Sequence, residues 1–154
     1  MNGQEAHLRV GVTLPSMGHL AQPNDIIEAA KQAERLAYDT LWVADRLLYP
    51  IKPRTKYPVT PDGSLPDIYK RVLDPIEALT FVAAHTSRIG LGTSVLDIPF
   101  YNPVTLARRL TSLDILSTGR LRAGLGLPRK WKRSLGEPMP NWNRSPDTPY
   151  PSGR

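Results

Sequence analysis

The sequence predicts an α/β fold, one half of a parallel β/α barrel with four strands and three helices. Three observations predict it. Four short apolar segments alternate at the strand period, three amphipathic segments with helical spacing separate them, and the pattern stops near Leu127 of a 154-residue chain. Strands joined through helices run parallel, with right-handed crossovers. A complete barrel takes ~250 residues, so the patterned region is about half of one.

The first strand is expected over Leu8 to Leu14, where large apolar residues alternate with small or polar ones, and Pro15 and Gly18 end it. A helix follows over Asp25 to Tyr38. Asp25 and Glu28 stand at capping-box spacing, and Ile26, Ile27, Ala30, Ala33 and Ala37 line one side. Thr40 to Ala44 is a second short apolar strand. The segment Asp45 to Leu73 holds Pro50, Pro53, Pro58, Pro61 and Pro66, a density that opposes regular structure. A loop of that length inside a domain is commonly functional or disordered.

Asp74-Pro75-Ile76-Glu77 opens a second helix, with aspartate as N-cap, proline in the first turn and glutamate closing the box; it is expected to run to about Thr86. Arg88 to Val95 reads as the third strand. Asn102-Pro103 repeats the cap-then-proline start for a third helix, which Gly119 ends as a left-handed C-cap. Leu121 to Gly126 is the fourth strand. Within these strands Leu8, Val10, Val12 and Leu14 share one face, as do Ile89, Leu91, Thr93 and Val95, and Leu121, Ala123 and Leu125. These rows are expected to meet the helices. The opposite rows hold Gly11, Gly90, Gly92, Gly124 and Gly126. They suit either the close approach of a planar ligand or relief of crowding inside a tight barrel.

Two domains of different character follow: residues 1–127 as the half-barrel, and 128–154 as a disordered, basic, proline-rich tail with no period of either kind. The chain carries a formal charge of +6. Much of it sits in the tail, where Arg129, Lys130, Lys132, Arg133, Arg144 and Arg154 face only Glu137 and Asp147. A nearly neutral body argues against nucleic acid as a partner, and a solvated basic tail is the simpler reading. With no cysteine, disulfides, thiolate metal sites and cysteine nucleophiles are excluded. The polar start, Met1 to His7, shows no secretory signal, and no apolar run reaches the ~18 residues of a membrane span. A cytoplasmic protein acting on a small molecule is the default expectation, with the open sheet edges offering a route to homo-oligomers.

Parallel β/α proteins bind ligands at the C-terminal ends of their strands. The strand exits here are Leu14-Pro15-Ser16-Met17-Gly18, Ala44-Asp45-Arg46, Thr93-Ser94-Val95-Leu96 running on to Phe100-Tyr101-Asn102-Pro103, and Gly124-Leu125-Gly126. The strings LWVADRLLYP and RIGLGTSVLDIPFYNPVTLARRLTSLDILSTGRLRAGLGL resemble the luciferase-like monooxygenases, over roughly residues 8–127. That superfamily includes FMN-dependent enzymes of the bacterial-luciferase type and oxidoreductases that use the deazaflavin coenzyme F420. The ordered set of strand, Asn-Pro helix start, Leu-Asp-x-Leu-Ser, Gly-Arg, strand and Gly-x-Gly is the specific part.

The resemblance implies a TIM (β/α)8 barrel with FMN or F420 at its C-terminal mouth. It further implies a cis peptide at Ser94–Val95, with Thr93, Ser94 and Val95 against the ring. Asp45 matches the family's acidic residue after the second strand, and Leu14 would line the pocket. Many deazaflavin-using relatives have a histidine where this chain has Arg46. An arginine cannot shuttle a proton at neutral pH, but could hydrogen-bond a ring carbonyl or balance an anionic ring, and it could equally form an ion pair with Asp45. Asn102 matches a family position, although a capping role accounts for it. His19 is a weaker candidate, and His85, Asp97 and Asp114 read as structural or surface residues. Family members continue through four further strands where this chain has RKWKR and proline-rich sequence. Truncation or a frame shift is therefore expected, and with it a chain inactive alone or a non-catalytic half-barrel that self-associates or pairs with a complementary fragment.

Overall fold

The computed structural model describes residues 8–51, 53 and 56–127, so the tail at 128–154 lies outside the described residues. Strands β1 (Gly11–Thr13), β2 (Thr40–Val43) and β3 (Gly90–Thr93) alternate with helices α1 (Pro23–Arg35) and α2 (Pro75–Ala83). Two-residue β4 (Leu96–Asp97) follows β3, then α3 (Pro103–Leu116), β5 (Leu121–Arg122) and β6 (Leu125–Gly126). The main sheet has the order β1-β2-β3-β5, all parallel, and β4 pairs with β6, also in parallel. This is the predicted alternation, with β1 and β5 at the edges.

The strand boundaries need correction. The expected third strand is two pieces, β3 and β4, with the Ser94–Val95 peptide between them in the cis form. The fourth is likewise β5 and β6. Thr93 and Leu96 are both buried although three residues apart, so the alternation changes phase between them. Val95 thereby leaves the core row to which simple alternation assigned it and is 43% exposed. At the other end Leu8 is 80% exposed and Val10 is also exposed, as are Ala123 and Leu125, so those rows meet helices only in part.

The helix ends follow local chemistry. α1 starts two residues before the expected point, because Pro23 sits in its first turn after an extended Gln22; Asp25 lies within that turn and is not the cap. It ends on Ala37, whose φ is +59°, with Ala37 N–H donating to Glu34 O and Tyr38 N–H to Ala33 O. That crossed pair is a Schellman closure. Asp74 caps α2, its Oδ1 accepting from the N–H groups of Ile76 (2.8 Å) and Glu77 (3.1 Å). The Glu77 carboxylate accepts from Arg109 of α3 at 2.7 Å. Asn102 caps α3 in the same way, accepting from Val104 (3.0 Å) and Thr105 (3.1 Å). α3 closes on Thr118 (φ +57°) and Gly119 (φ +76°), so the left-handed residue begins one position before the expected glycine.

Leu14, Leu41, Val43, Ile89 and Leu91 of the sheet segments pack against Ile26, Ala30 and Ala33 of α1, Leu79 and Val82 of α2, and Leu106 and Leu113 of α3. Burying each large side chain contributes about 1.5–3 kcal/mol. The other face answers the question left by the glycine rows. A Cβ on Gly11 or Gly92 would overlap the indole of Trp42, and one on Gly126 would overlap Val95. The planar group lying over those two glycines is the chain's own tryptophan.

The N-terminal ends of the strands are tied by two side chains. Glu34 Oε1 accepts from the N–H groups of Ser87 (2.9 Å), Arg88 (2.6 Å) and Ile89 (3.0 Å). Burial works against its charge, yet the three backbone donors hold its carboxyl below the ordinary value. Arg120 donates to Ser117 O (2.7 Å), Thr86 Oγ1 (3.0 Å), Ile89 O (3.1 Å), Ala83 O (3.0 Å) and Thr86 O (3.1 Å). One guanidinium thus satisfies carbonyls at the ends of α2 and α3 and at the entrance to β3.

Candidate functional site

The C-terminal ends of the strands form a rim, and backbone hydrogen bonds set its level. Leu14 N–H donates to Trp42 O (2.8 Å), Ser94 N–H to Val43 O (2.7 Å) and Leu96 N–H to Gly124 O (2.9 Å). These bonds bring the four predicted exits together. Asp45 leaves β2 directly into this rim. Its Oδ2 accepts from the Asp97 N–H at 3.0 Å and the Tyr101 hydroxyl at 2.9 Å, so one carboxylate joins the second strand exit to the third. Burial, followed by that bond to Asp45, pushes the Tyr101 hydroxyl well above its ordinary value and keeps it a donor.

The expected site residues divide into two groups. Asp45, Arg46, Ser94 and Val95 lie at the rim, with Ser94 and Val95 exposed. Leu14 and Thr93 do not present open side chains. Leu14 is 2% exposed and belongs to the core. Thr93 Oγ1 donates to Gly124 O and accepts from Gly124 N–H, both at 2.9 Å, and so holds the bend between β5 and β6. Gly124 has no room for a Cβ, which would overlap the Thr93 carbonyl oxygen. Asn102 sits beside Tyr101 with its side chain occupied as the α3 cap.

Arg46 forms no ion pair with Asp45. Its guanidinium carbon lies 3.9 Å from the centre of the Tyr69 ring and 6.0 Å from that of Tyr57. The two tyrosines meet edge to face at 6.0 Å, and their hydroxyls are 3.1 Å apart. Arg46 is therefore bound to the long proline-rich segment by cation–π contacts. That segment is not wholly irregular. It carries a 3-10 turn at Asp67–Lys70 and closes onto the first strand exit through an antiparallel bridge between Met17 and Val72, Gly18 N–H to Arg71 O (2.8 Å) and Leu73 N–H to Ser16 O (3.0 Å). The buried Ser16 hydroxyl has no hydrogen-bond partner among the described residues.

Sequence reasoning missed Trp42, Asp97, Tyr101 and the Tyr57–Tyr69 pair. Tyr101 is tied to Asp45 across 56 positions, and the tyrosine pair lies within a segment without periodicity, so no local signal marks them. Asp97 was read as a surface residue; the phase change at Ser94–Val95 moves it, together with Val95, off the core row and onto the open face. A groove of about 560 Å³ lies at the opposite end of the strands, lined by Arg9, Glu34, Asp39, Arg88 and Arg122 among others. Glu34 is committed there to structural hydrogen bonds, and the strand exits lie at the other end.

The family model of the luciferase-like monooxygenases matches residues 6–145. The chain belongs to this family. An uncharacterized protein of Mycobacterium tuberculosis strain H37Rv is 41% identical over 99 residues, covering 64% of this chain and 35% of that protein. An F420-dependent glucose-6-phosphate dehydrogenase of Amycolatopsis mediterranei is 31% identical over 105 residues, covering 68% of this chain and 27% of that one. Among solved structures, the coenzyme F420-dependent tetrahydromethanopterin reductase of Methanopyrus kandleri superposes with a TM-score of 0.58 at 24% identity, over 88% of this chain and 32% of that one. The oxygenating constituent of 3,6-diketocamphane monooxygenase of Pseudomonas putida, solved with FMN, superposes with a TM-score of 0.62 at 16% identity, over 84% and 32%. The chain thus spans about a third of the length of the relatives it matches. Among the described residues no helix is long and apolar enough to cross a membrane.

Proposed function

We propose that this chain carries the ring-binding rim of a flavin- or deazaflavin-dependent oxidoreductase acting on a small molecule. The observation that carries the reading is the family match over residues 6–145, laid on a rim where Asp45, Ser94, Val95 and Asp97 converge. Relatives with FMN or F420 in their names support FMN or coenzyme F420 as the bound group. The residues present fit such a ring. Val95 offers an exposed apolar surface and Ser94 an exposed side chain at the rim. When bound, the ring supplies hydride transfer or oxygen activation.

The chain's own groups bind and orient. Asp45 holds the third strand exit in place through Asp97 N–H and the Tyr101 hydroxyl. Arg46, stacked on Tyr69, fixes the proline-rich segment beside the rim and keeps a cation there for an anionic partner. Asn102 contributes by starting α3, and Thr93 by shaping the β5–β6 bend; Leu14 supports the rim from the core. Titration of the purified chain with FMN and with F420, followed by absorbance, tests the reading. Saturable 1:1 binding of either ring, weakened in Asp45→Ala, supports it; no binding of either ring overturns it.

A second reading has an observation of its own. β1 and β5 are sheet edges, and Leu8, Val10, Leu125 and Leu127 are exposed beside them. Unpaired edges of this kind take up further strands. In this reading the chain is a non-catalytic half-barrel that associates with itself or a complementary fragment. A ring-blind oligomer in size-exclusion chromatography favours it.

A further inference from the structure

We propose that Asp97 is the residue that takes up and releases a proton at this rim when a reduced, anionic ring binds. The inference rests on the ring-binding reading above and assigns its proton to a particular carboxyl. Asp45 and Arg46 are occupied, the first by Asp97 N–H and the Tyr101 hydroxyl, the second by the Tyr69 ring. Asp97 is differently placed. Leu96 is fully buried in the core, so alternation turns the Asp97 side chain, with that of Val95, to the opposite face of the sheet. There its carboxyl is half-buried, and no hydrogen bond to it is found among the described residues, while its own backbone N–H is held by Asp45.

The groups around it favour a proton. Burial first, and the Asp45 charge second, raise the Asp97 carboxyl above its ordinary value, while Arg46 opposes the shift. Tyr101 is bonded to Asp45 and stays neutral. From the paired strand β6, Leu125 and Gly126 bring no charge. A further negative charge on a bound ring adds to the same direction, so an anionic ring and a protonated Asp97 stabilise each other. The arginine at position 46 keeps its proton at these pH values, so Asp97 supplies the titrating carboxyl beside it.

The experiment compares wild type with Asp97→Asn, measuring the affinity for oxidised FMN and for dithionite-reduced FMN, and likewise for F420, anaerobically from pH 5 to pH 8. In wild type the preference for the reduced ring should strengthen on acidification by up to about tenfold per pH unit, beyond the free ring's own titration. That excess should vanish in Asp97→Asn. A parallel ¹³C NMR titration of labelled aspartate in the free protein should show Asp97 titrating above the ordinary range and returning toward it in Asp45→Asn. An equal pH slope in wild type and Asp97→Asn overturns the proposal and leaves the ring-binding reading standing. An Asp97 carboxyl that titrates normally in the free protein also overturns it. Failure of wild type to bind either ring in either redox state removes both.

Discussion

The two ends of the sheet use charged side chains in opposite ways. At the N-terminal ends, Glu34 collects three backbone N–H groups and Arg120 donates to four carbonyls and a hydroxyl. These groups close the structure. At the C-terminal ends, Asp45 also bridges two elements, but the residues around it include an exposed Ser94, an exposed Val95 and an Asp97 carboxyl with no hydrogen bond found among the described residues. One end spends its charges on backbone satisfaction and the other keeps some open. In parallel β/α proteins stability is expected at the first end and function at the second. Substitutions at the two ends should therefore separate folding from ring binding.

The largest effect should come from Arg120→Ala. It leaves carbonyls at the ends of two helices and at the entrance to β3 without their donor, and the expected loss is on the order of 3 kcal/mol by urea unfolding. Arg120→Lys should recover only part of it, because an ammonium lacks the planar fork that reaches both Ala83 and Ile89. If Arg120→Ala instead weakened ring binding without changing stability, the division between the two ends would be wrong.

Glu34→Gln should cost about 1 kcal/mol at neutral pH, since an amide oxygen accepts less strongly than a carboxylate. The pH dependence has a definite sign. The folded state holds this carboxyl below its ordinary value, so it binds fewer protons than the unfolded chain does in that range. Its contribution is present above the ordinary glutamate value and is lost as pH falls through the lowered one. The stability difference between wild type and Glu34→Gln should accordingly shrink on acidification. A difference that stays constant down to pH 2 would mean the carboxylate charge contributes nothing.

Tyr101→Phe probes the open end. It removes one of the two donors to Asp45 and leaves the Asp97 N–H in place. Stability should change by about 1 kcal/mol or less. Ring affinity should fall by about tenfold, equivalent to ~1.4 kcal/mol, because the third strand exit loses one of its ties to the second. An unchanged affinity would show that Asp45 needs only the Asp97 amide to hold the rim.

The two ends also differ in how readable they are. Asp74-Pro75 and Asn102-Pro103 announce helix starts locally, and both cap as expected. The apolar alternation gave four parallel strands in chain order because each signal lies within about seven residues. Arg120 stood inside a recognisable Gly-Arg pair, yet its five bonds reach back as far as Ala83, and nothing local marks them. At the open end, one change of phase at Ser94–Val95 was enough to misplace Val95 and hide Asp97. Likewise the glycine rows were legible as a place of close approach, but not Trp42 as the group that approaches, because Gly92 and Trp42 become neighbours only through strand register.

The smallest effect is expected at the closed end, with the opposite sign. Ala37 ends α1 with φ +59°, a left-handed conformation that places Cβ against the following carbonyl and costs an L-residue about 1–2 kcal/mol. Glycine adopts it freely, although its unfolded chain has more conformations to lose, worth roughly 0.5–1 kcal/mol. The side chain is exposed, so little packing is forfeited. Ala37→Gly should therefore stabilise the protein by about 0.5 kcal/mol and leave ring affinity unchanged, since the turn lies far from the rim in the fold, at the entrance to β2. A destabilised Ala37→Gly would show that the crossed hydrogen bonds to Ala33 and Glu34 already offset the left-handed cost in full.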